Sequence, residues 1–363
     1  MAFYKNFLKP IFFLFDPEFM HDRMIALGEM LGRFSLGRAA VRAFCDFHDP
    51  ALETEVLGIR FKNPVGLAAG FDKDVRLTHI IPSVGFGFME VGSITRYASP
   101  GNPGKHLVRL PKDNSLIVYY GLKNIGADAV LKKIKGKQWM IPTGLNIAKT
   151  NRADIKGEKS IEDYVYTYRH LAPYFSYTTI NVSCPNTQDG HAFQEPTMLD
   201  ALLRALAREP KTVPVFLKLS NHLTLPEVDD ILAVVVQYGF VDGFIVSNLS
   251  KKRDALGLVS PPELLAQLPY GGISGTPLKE KTNKLISYLY KKTNGKYALI
   301  GLGGIFSAED AYEKIKAGAS LVQLITGMIY EGPTLIKRIN RGLVALLARD
   351  GYRTIADAVG KGI

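Results

Sequence analysis

Between Pro64 and Gly327 the chain repeats one pattern eight times: a short, unbroken apolar run that stops at or near Gly, Ser or Asn. The runs cover residues 64–70, 88–93, 140–147, 177–183, 215–220, 243–248, 298–304 and 321–327. They are continuous rather than alternating, so they read as strands covered on both faces. Helix-like segments separate several of them, at 161–171, 198–208, 226–238, 278–291 and 308–317. A strand that returns parallel to its predecessor needs such a crossover. Eight strands joined this way predict an α/β fold, a (β/α)8 TIM barrel, with a doubly wound open sheet as the alternative. Long inserts follow the second run (95–138) and the sixth (249–270), and no linker divides 46–363.

Residues 1–45 have another character and read as a small helical extension. Asp16-Pro17 predicts an N-cap and a first-turn proline. Beyond it Met20, Met24, Leu27, Leu31 and Phe34 recur at steps of four and three, the period of a helix. An aromatic-rich segment from Phe3 to Phe15 precedes them. Helices this short cannot bury two faces alone. Their apolar surface either packs on the barrel or meets lipid or a lipophilic ligand. No run approaches the ~20 apolar residues that span a bilayer. Lys5, Lys9 and Pro10 interrupt the start and no small-residue cleavage site follows, so a signal peptide is not expected.

The formal charge of +11 admits nucleic acid, an anionic membrane or anionic small molecules. No basic run is interleaved with aromatics, so nucleic acid is not expected. The two cysteines, Cys45 and Cys184, and the seven histidines show no metal spacing, and no metal is expected.

In a barrel of this kind chemistry gathers at the C-terminal ends of the strands. The first run ends in Ala68-Ala69-Gly70, small enough for a flat ligand to approach the backbone, followed by Lys73. Asn146 ends the third. The fourth ends in Asn181-Val182-Ser183-Cys184-Pro185-Asn186. Asparagine both donates and accepts, which suits the amide edges of a planar heterocycle. Cys184 is either buried filler or a functional thiol; its place at a strand exit favours the thiol. Lys218 lies within an apolar run and needs a partner, either an anionic ligand or a salt bridge inside the barrel. Ser247-Asn248 end the sixth run, and Ser274-Gly275 follow its insert. Gly303-Gly304 and Thr326-Gly327 close the last two runs, where such barrels bind phosphate. These residues call for a phosphate-bearing planar cofactor, a planar amide-rich substrate and a thiol base.

At this point the chain resembles the dihydroorotate dehydrogenase family nearly end to end. The matching blocks include Asn63-Pro64-Val65-Gly66-Leu67-Ala68-Ala69-Gly70-Phe71-Asp72-Lys73, Glu90-Val91-Gly92-Ser93-Ile94-Thr95, Arg109-Leu110-Pro111 and Asn181 to Thr187. The N-terminal helices and the Asp16-Pro17-Glu18 turn are similar to the quinone-using class 2 branch. That resemblance implies FMN as cofactor, held by Ala68, Ala69, Gly70, Ser93, Asn146, Asn181, Lys218, Ser247, Ser274, Gly275, Gly304 and Thr326. It implies Lys73, Asn181, Asn186 and Asn248 as substrate contacts and Cys184 as catalytic base. It further implies oxidation of dihydroorotate to orotate in pyrimidine synthesis, with a membrane quinone as final acceptor reached through residues 1–45. Peripheral membrane association follows, at the cytoplasmic face of a bacterial inner membrane.

The chain departs from the class 2 pattern in three places. Cys184 stands where a serine is usual. Val118, in Ile117-Val118-Tyr119-Tyr120-Gly121, stands where the substrate loop normally has asparagine. Leu249-Ser250 follow Asn248 where two threonines are common. The second departure leaves open an FMN barrel acting on another dihydropyrimidine or cyclic amide. A phosphate-binding barrel used as a membrane binding module is the non-enzyme alternative.

Overall fold

The structure, a computed structural model, describes residues 4–184 and 192–363. Eight parallel strands close a barrel: β1 (Val65–Leu67), β2 (Phe88–Ile94), β3 (Thr143–Ile147), β4 (Tyr177–Asn181), β5 (Val215–Leu219), β6 (Gly243–Val246), β7 (Ala298–Leu302) and β8 (Leu321–Leu324). Each of the eight apolar runs contains one strand. Spatial neighbours are sequence neighbours, and β8 pairs with β1, with Gln323 opposite Gly66. That closure excludes the open sheet. The expected crossover helices are present, for example Glu158–Leu171, Pro196–Leu206, Leu225–Tyr238 and Lys279–Thr293.

Alternate residues of each strand point inward. At the N-terminal end of the barrel, Phe88, Tyr177, Phe216, Ile245, Ile300 and Leu321 form one cluster. Phe61, from a small antiparallel hairpin (Thr54–Val56 with Ile59–Phe61), joins it. Glycines face the rings in register: Gly66 opposite Phe88, Gly144 opposite Tyr177 and Gly243 opposite Phe216. A Cβ on Gly66 would sit 2.4 Å from the Phe88 ring, and one on Gly144 would sit 2.1 Å from the Tyr177 ring. Large and small residues therefore alternate around the wall, and the rings fill the interior at core density.

The next layer up is polar. Glu90 is fully buried. Its carboxylate accepts from Asn146 Nδ2 (2.7 Å), Thr179 Oγ1 (3.0 Å), Gln323 Nε2 (3.2 Å) and the Tyr177 hydroxyl (3.3 Å). A carboxylate only accepts and offers about four lone-pair directions, so these donors from β3, β4 and β8 satisfy it.

The two inserts meet in a single sheet. The first forms an antiparallel hairpin, Leu107–Leu110 with Ser115–Val118. Gly272–Ile273, beyond the second insert, adds a third strand beside Val118 and Ile117. The Asp113 carboxylate accepts from the backbone of Val259 (2.8 Å) and Ser260 (3.1 Å), tying the inserts together again.

The N-terminal extension comprises α1 (Lys9–Leu14), α2 (Pro17–Arg33) and α3 (Ser35–Cys45). Asp16 caps α2 as expected, with Oδ1 accepting from Glu18 N (2.9 Å) and Phe19 N (3.0 Å). Most of the apolar stripe of α2 does not face the barrel, although Leu31 packs against the core. Leu27 is 41% and Phe34 63% exposed. The inward face is instead Glu18, His21, Ile25, Gly28 and Gly32, at steps of three and four, with Ile25 and Gly32 buried. A Cβ on Gly28 would lie 2.9 Å from Leu77. Small residues bring α2 close to the barrel, and several of its larger apolar side chains, such as Leu27 and Phe34, are left outside.

Candidate active site

One cavity opens at the C-terminal ends of the barrel strands and holds ≈ 1280 Å³, its open mouth included. Ala68, Ala69, Gly70 and Lys73 line it from the β1 exit. Ser93, Asn181, Cys184, Lys218, Ser247 and Asn248 line it from β2, β4, β5 and β6. Ser274, Gly275, Gly304 and Thr326 complete its far wall. Of the described residues singled out from sequence, one does not line it. Asn146 lies one layer deeper, donating to Glu90 and accepting from the Ser93 hydroxyl. Asn186 lies outside the described residues.

The polar groups on the β4 and β6 exits hold one another. Asn181 Nδ2 donates to Ser93 Oγ (3.0 Å), and Asn181 Oδ1 accepts from Ser183 N and Oγ (3.2 and 3.0 Å). Asn248 Nδ2 donates to the Ser183 carbonyl and Oγ, both at 3.1 Å. The Tyr164 hydroxyl donates to the Asn181 carbonyl from the crossover helix (2.8 Å). This network fixes amide side chains that would otherwise rotate. Cys184, at the end of it, forms no disulfide and is partly buried.

Lys218 shares the interior face of β5 with Phe216. Burial holds its ammonium below the usual lysine range, opposed by the charges of Glu90 and Cys184. A buried cation at the wall of a cavity favours an anionic or electron-rich ligand there. At the far wall Ser274 Oγ and Thr326 Oγ1 are 2.8 Å apart. Gly303 (φ +123°) and Gly304 (φ +72°) turn tightly against the first turn of Lys279–Thr293, where a Cβ on Gly304 would lie 2.6 Å from that of Lys279. Hydroxyls and a glycine turn beside a helix start suit a phosphate. The donor set therefore fits a planar group with a phosphate tail.

The mouth of the cavity is lined by Phe71, by Tyr120 of the expected substrate loop, by Lys123 just past it, and by His21 from α2, Phe306 and Ile329, which sequence reasoning missed. Lys73 Nζ lies 3.2 Å from His21 Nε2 and 3.9 Å from the centre of the Tyr120 ring. His106 stacks on Tyr120 (5.2 Å, 14°) and contacts Glu18 of α2 at 2.8 Å. Burial first, then the charges of Lys73, Lys123 and Arg76, push the His21 pKa down to about 3. Burial lowers the Lys73 pKa to about 8, partly offset by Asp22 and Asp74. Val118 also lines the cavity. The sequence signal for His21 was its helical step from Glu18, hidden beside the apolar stripe of the same helix.

Comparison with known proteins bears on the chain as a whole. The dihydroorotate dehydrogenase family model matches residues 51–347. A dihydroorotate dehydrogenase (quinone) of Nostoc punctiforme is 37% identical, over 99% of this chain and 98% of its own length. One from Christiangramia forsetii is 39% identical, over 94% and 98%. Among solved structures, DHODH of Eimeria tenella in complex with ferulenol superposes with a TM-score of 0.81 at 31% identity, covering 95% of each chain. The ligand-free type gives 0.83 at 30% identity, covering 95% of this chain and 99% of its own. With a match of this extent, the chain belongs to the dihydroorotate dehydrogenase family.

Proposed function

We propose that this chain oxidises dihydroorotate to orotate in pyrimidine synthesis and passes the electrons to a membrane quinone. The observation that carries the reading is the convergence of Cys184, Lys73, Asn181, Asn248 and Lys218 on one cavity from four different strands. FMN is the cofactor that suits this donor set. Ala68, Ala69 and Gly70 would lie against its ring, and Asn146 would hold Ser93 toward it. Asn181, Lys218 and Ser247 would contact its polar edge, and Ser274, Gly275, Gly304 and Thr326 its phosphate side. When bound, FMN supplies a hydride acceptor.

The residues of the chain then divide the remaining work. The Lys73 ammonium faces the substrate carboxylate. Asn181, Asn186 and Asn248 read the amide edges of the pyrimidine ring. Cys184 takes the proton from the carbon next to the one that loses hydride. A thiol has an ordinary pKa of ~8.5 and nearby cations lower it, so it serves as base more readily than a hydroxyl would unaided. Lys218 stabilises negative charge that develops beside it.

Residues 1–45 form the acceptor side and dock peripherally on a membrane, at the cytoplasmic face of a bacterial inner membrane. Phe7 (61%), Leu14 (84%), Leu36 (83%) and Phe44 (73%) expose apolar surface that water disfavours. Among the described residues no helix is long and apolar enough to cross a membrane. Protein purified with FMN should be yellow, and anaerobic addition of dihydroorotate should bleach it. A protein that takes up no FMN would overturn the reading. Val118 in the cavity wall favours a second reading, another dihydropyrimidine or cyclic amide as substrate. Bleaching by such a compound, with none by dihydroorotate, selects it.

A further inference from the structure

An extension that served the acceptor alone would leave substrate binding untouched when altered. The contacts of α2 say otherwise. His21 and Glu18 lie one turn apart on the same face of α2, and that face is turned to the cavity. His21 Nε2 is 3.2 Å from Lys73 Nζ. An ammonium can only donate, so the imidazole must accept at Nε2 and carry its proton on Nδ1. The low pKa of His21 agrees, because the ring remains neutral beside the cations. Lys73 has three N–H bonds. One is spent on His21 and its charge rests over the Tyr120 ring, which leaves donors for a ligand in the cavity. Tyr120 is itself braced from behind by His106, which Glu18 contacts from the same helix. Lys73 is thus clamped between a group from α2 and a group that α2 supports.

We infer that His21 is a positioning residue for Lys73, so that the N-terminal extension completes the dihydroorotate site as well as the acceptor side. The inference rests on the proposed role of Lys73 toward the substrate carboxylate. A lysine has four rotatable bonds, and a partner that fixes its head removes entropy a ligand would otherwise have to remove. By reciprocity, a carboxylate bound to Lys73 tightens the docking of α2.

The test uses full-length protein loaded with FMN and no quinone. Orotate affinity is read from the flavin spectrum, and dihydroorotate half-saturation and limiting rate from anaerobic bleaching. His21→Ala should weaken both affinities about tenfold and leave the limiting bleaching rate and flavin content near those of the parent. His21→Gln keeps an acceptor in reach of Lys73 and should recover most of the loss. In a Lys73→Met background His21→Ala should have no further effect. If Lys73→Met weakens orotate binding but His21→Ala does not, the positioning role is wrong while the proposed function stands. If Lys73→Met leaves orotate binding unchanged, the role of Lys73 and this inference both fall. Equal losses in His21→Ala and His21→Gln, with flavin content intact, would also overturn the positioning role.

Discussion

The two ends of the barrel use the same strands for opposite purposes. At the N-terminal end, β2, β4 and β5 point Phe88, Tyr177 and Phe216 into a space that glycines on β1, β3 and β6 clear for them. Further up the same strands, the inward residues are Glu90, Thr179 and Lys218, and at the exits Ser93, Asn181 and Cys184 line a cavity. The aromatic end is closed by shape. The polar end is held by hydrogen bonds that leave donors and a thiol turned toward a ligand. Glu90 is the boundary, since it accepts from Tyr177 below and from Asn146, itself bonded to Ser93, above. The contrast teaches that stability and chemistry are separated by about two residues of strand. The lower end can be rigid because nothing has to enter it.

Four substitutions or conditions test this separation. Cys184→Ala is the largest: loss of the base should cut the rate of flavin bleaching by dihydroorotate by about 10²- to 10⁴-fold with an unchanged melting temperature. An unchanged rate would remove Cys184 from the chemistry. Phe216→Ala at the closed end should do the reverse. A buried ring truncated to a methyl costs about 3–5 kcal/mol in stability, read by denaturant unfolding, while the folded fraction keeps its bleaching rate. Lost activity at full folding would show that the two ends are coupled. The third test is pH. With its pKa lowered to about 8, Lys73 is charged below that pH and loses its charge as pH rises through it. Orotate affinity should therefore fall roughly tenfold between pH 7 and 9, and a flat profile would place the carboxylate elsewhere. The smallest effect is expected for Val118→Asn. A new hydrogen bond at the cavity wall should tighten orotate about two- to tenfold, and weaker binding would mean that the wall is fitted to an apolar contact.

The barrel was legible because each strand is buried on both faces, which writes an uninterrupted apolar run into the sequence. The strand-exit residues were legible for a related reason. Polar side chains at Asn181, Lys218 and Ser247 stand out against such runs. Glu90 carries the same signal as Lys218, a charge inside an apolar strand, but the run gives no register, and its donors come from strands far away in the chain. The three-stranded sheet of the inserts was not legible, because strands of two to four residues are too short to show a period. The outer stripe of α2 was legible as apolar and silent about direction. A helix with an apolar face and a small-residue face can present either to the barrel, and here Gly28 and Gly32 decide it by allowing close approach.

The shared sheet of the two inserts also has a consequence in time. Ser115–Val118 gains its outer neighbour only from Gly272–Ile273, and Asp113 waits for Val259 and Ser260. During synthesis the hairpin emerges long before the strand that completes it. A nascent chain that has not yet reached residue 273 can pair several barrel strands, yet it lacks one wall of the cavity. Loop closure over that separation is slow compared with local helix formation. The ligand pocket is therefore among the last parts of the molecule to exist, and a chain released early from the ribosome would be left without it.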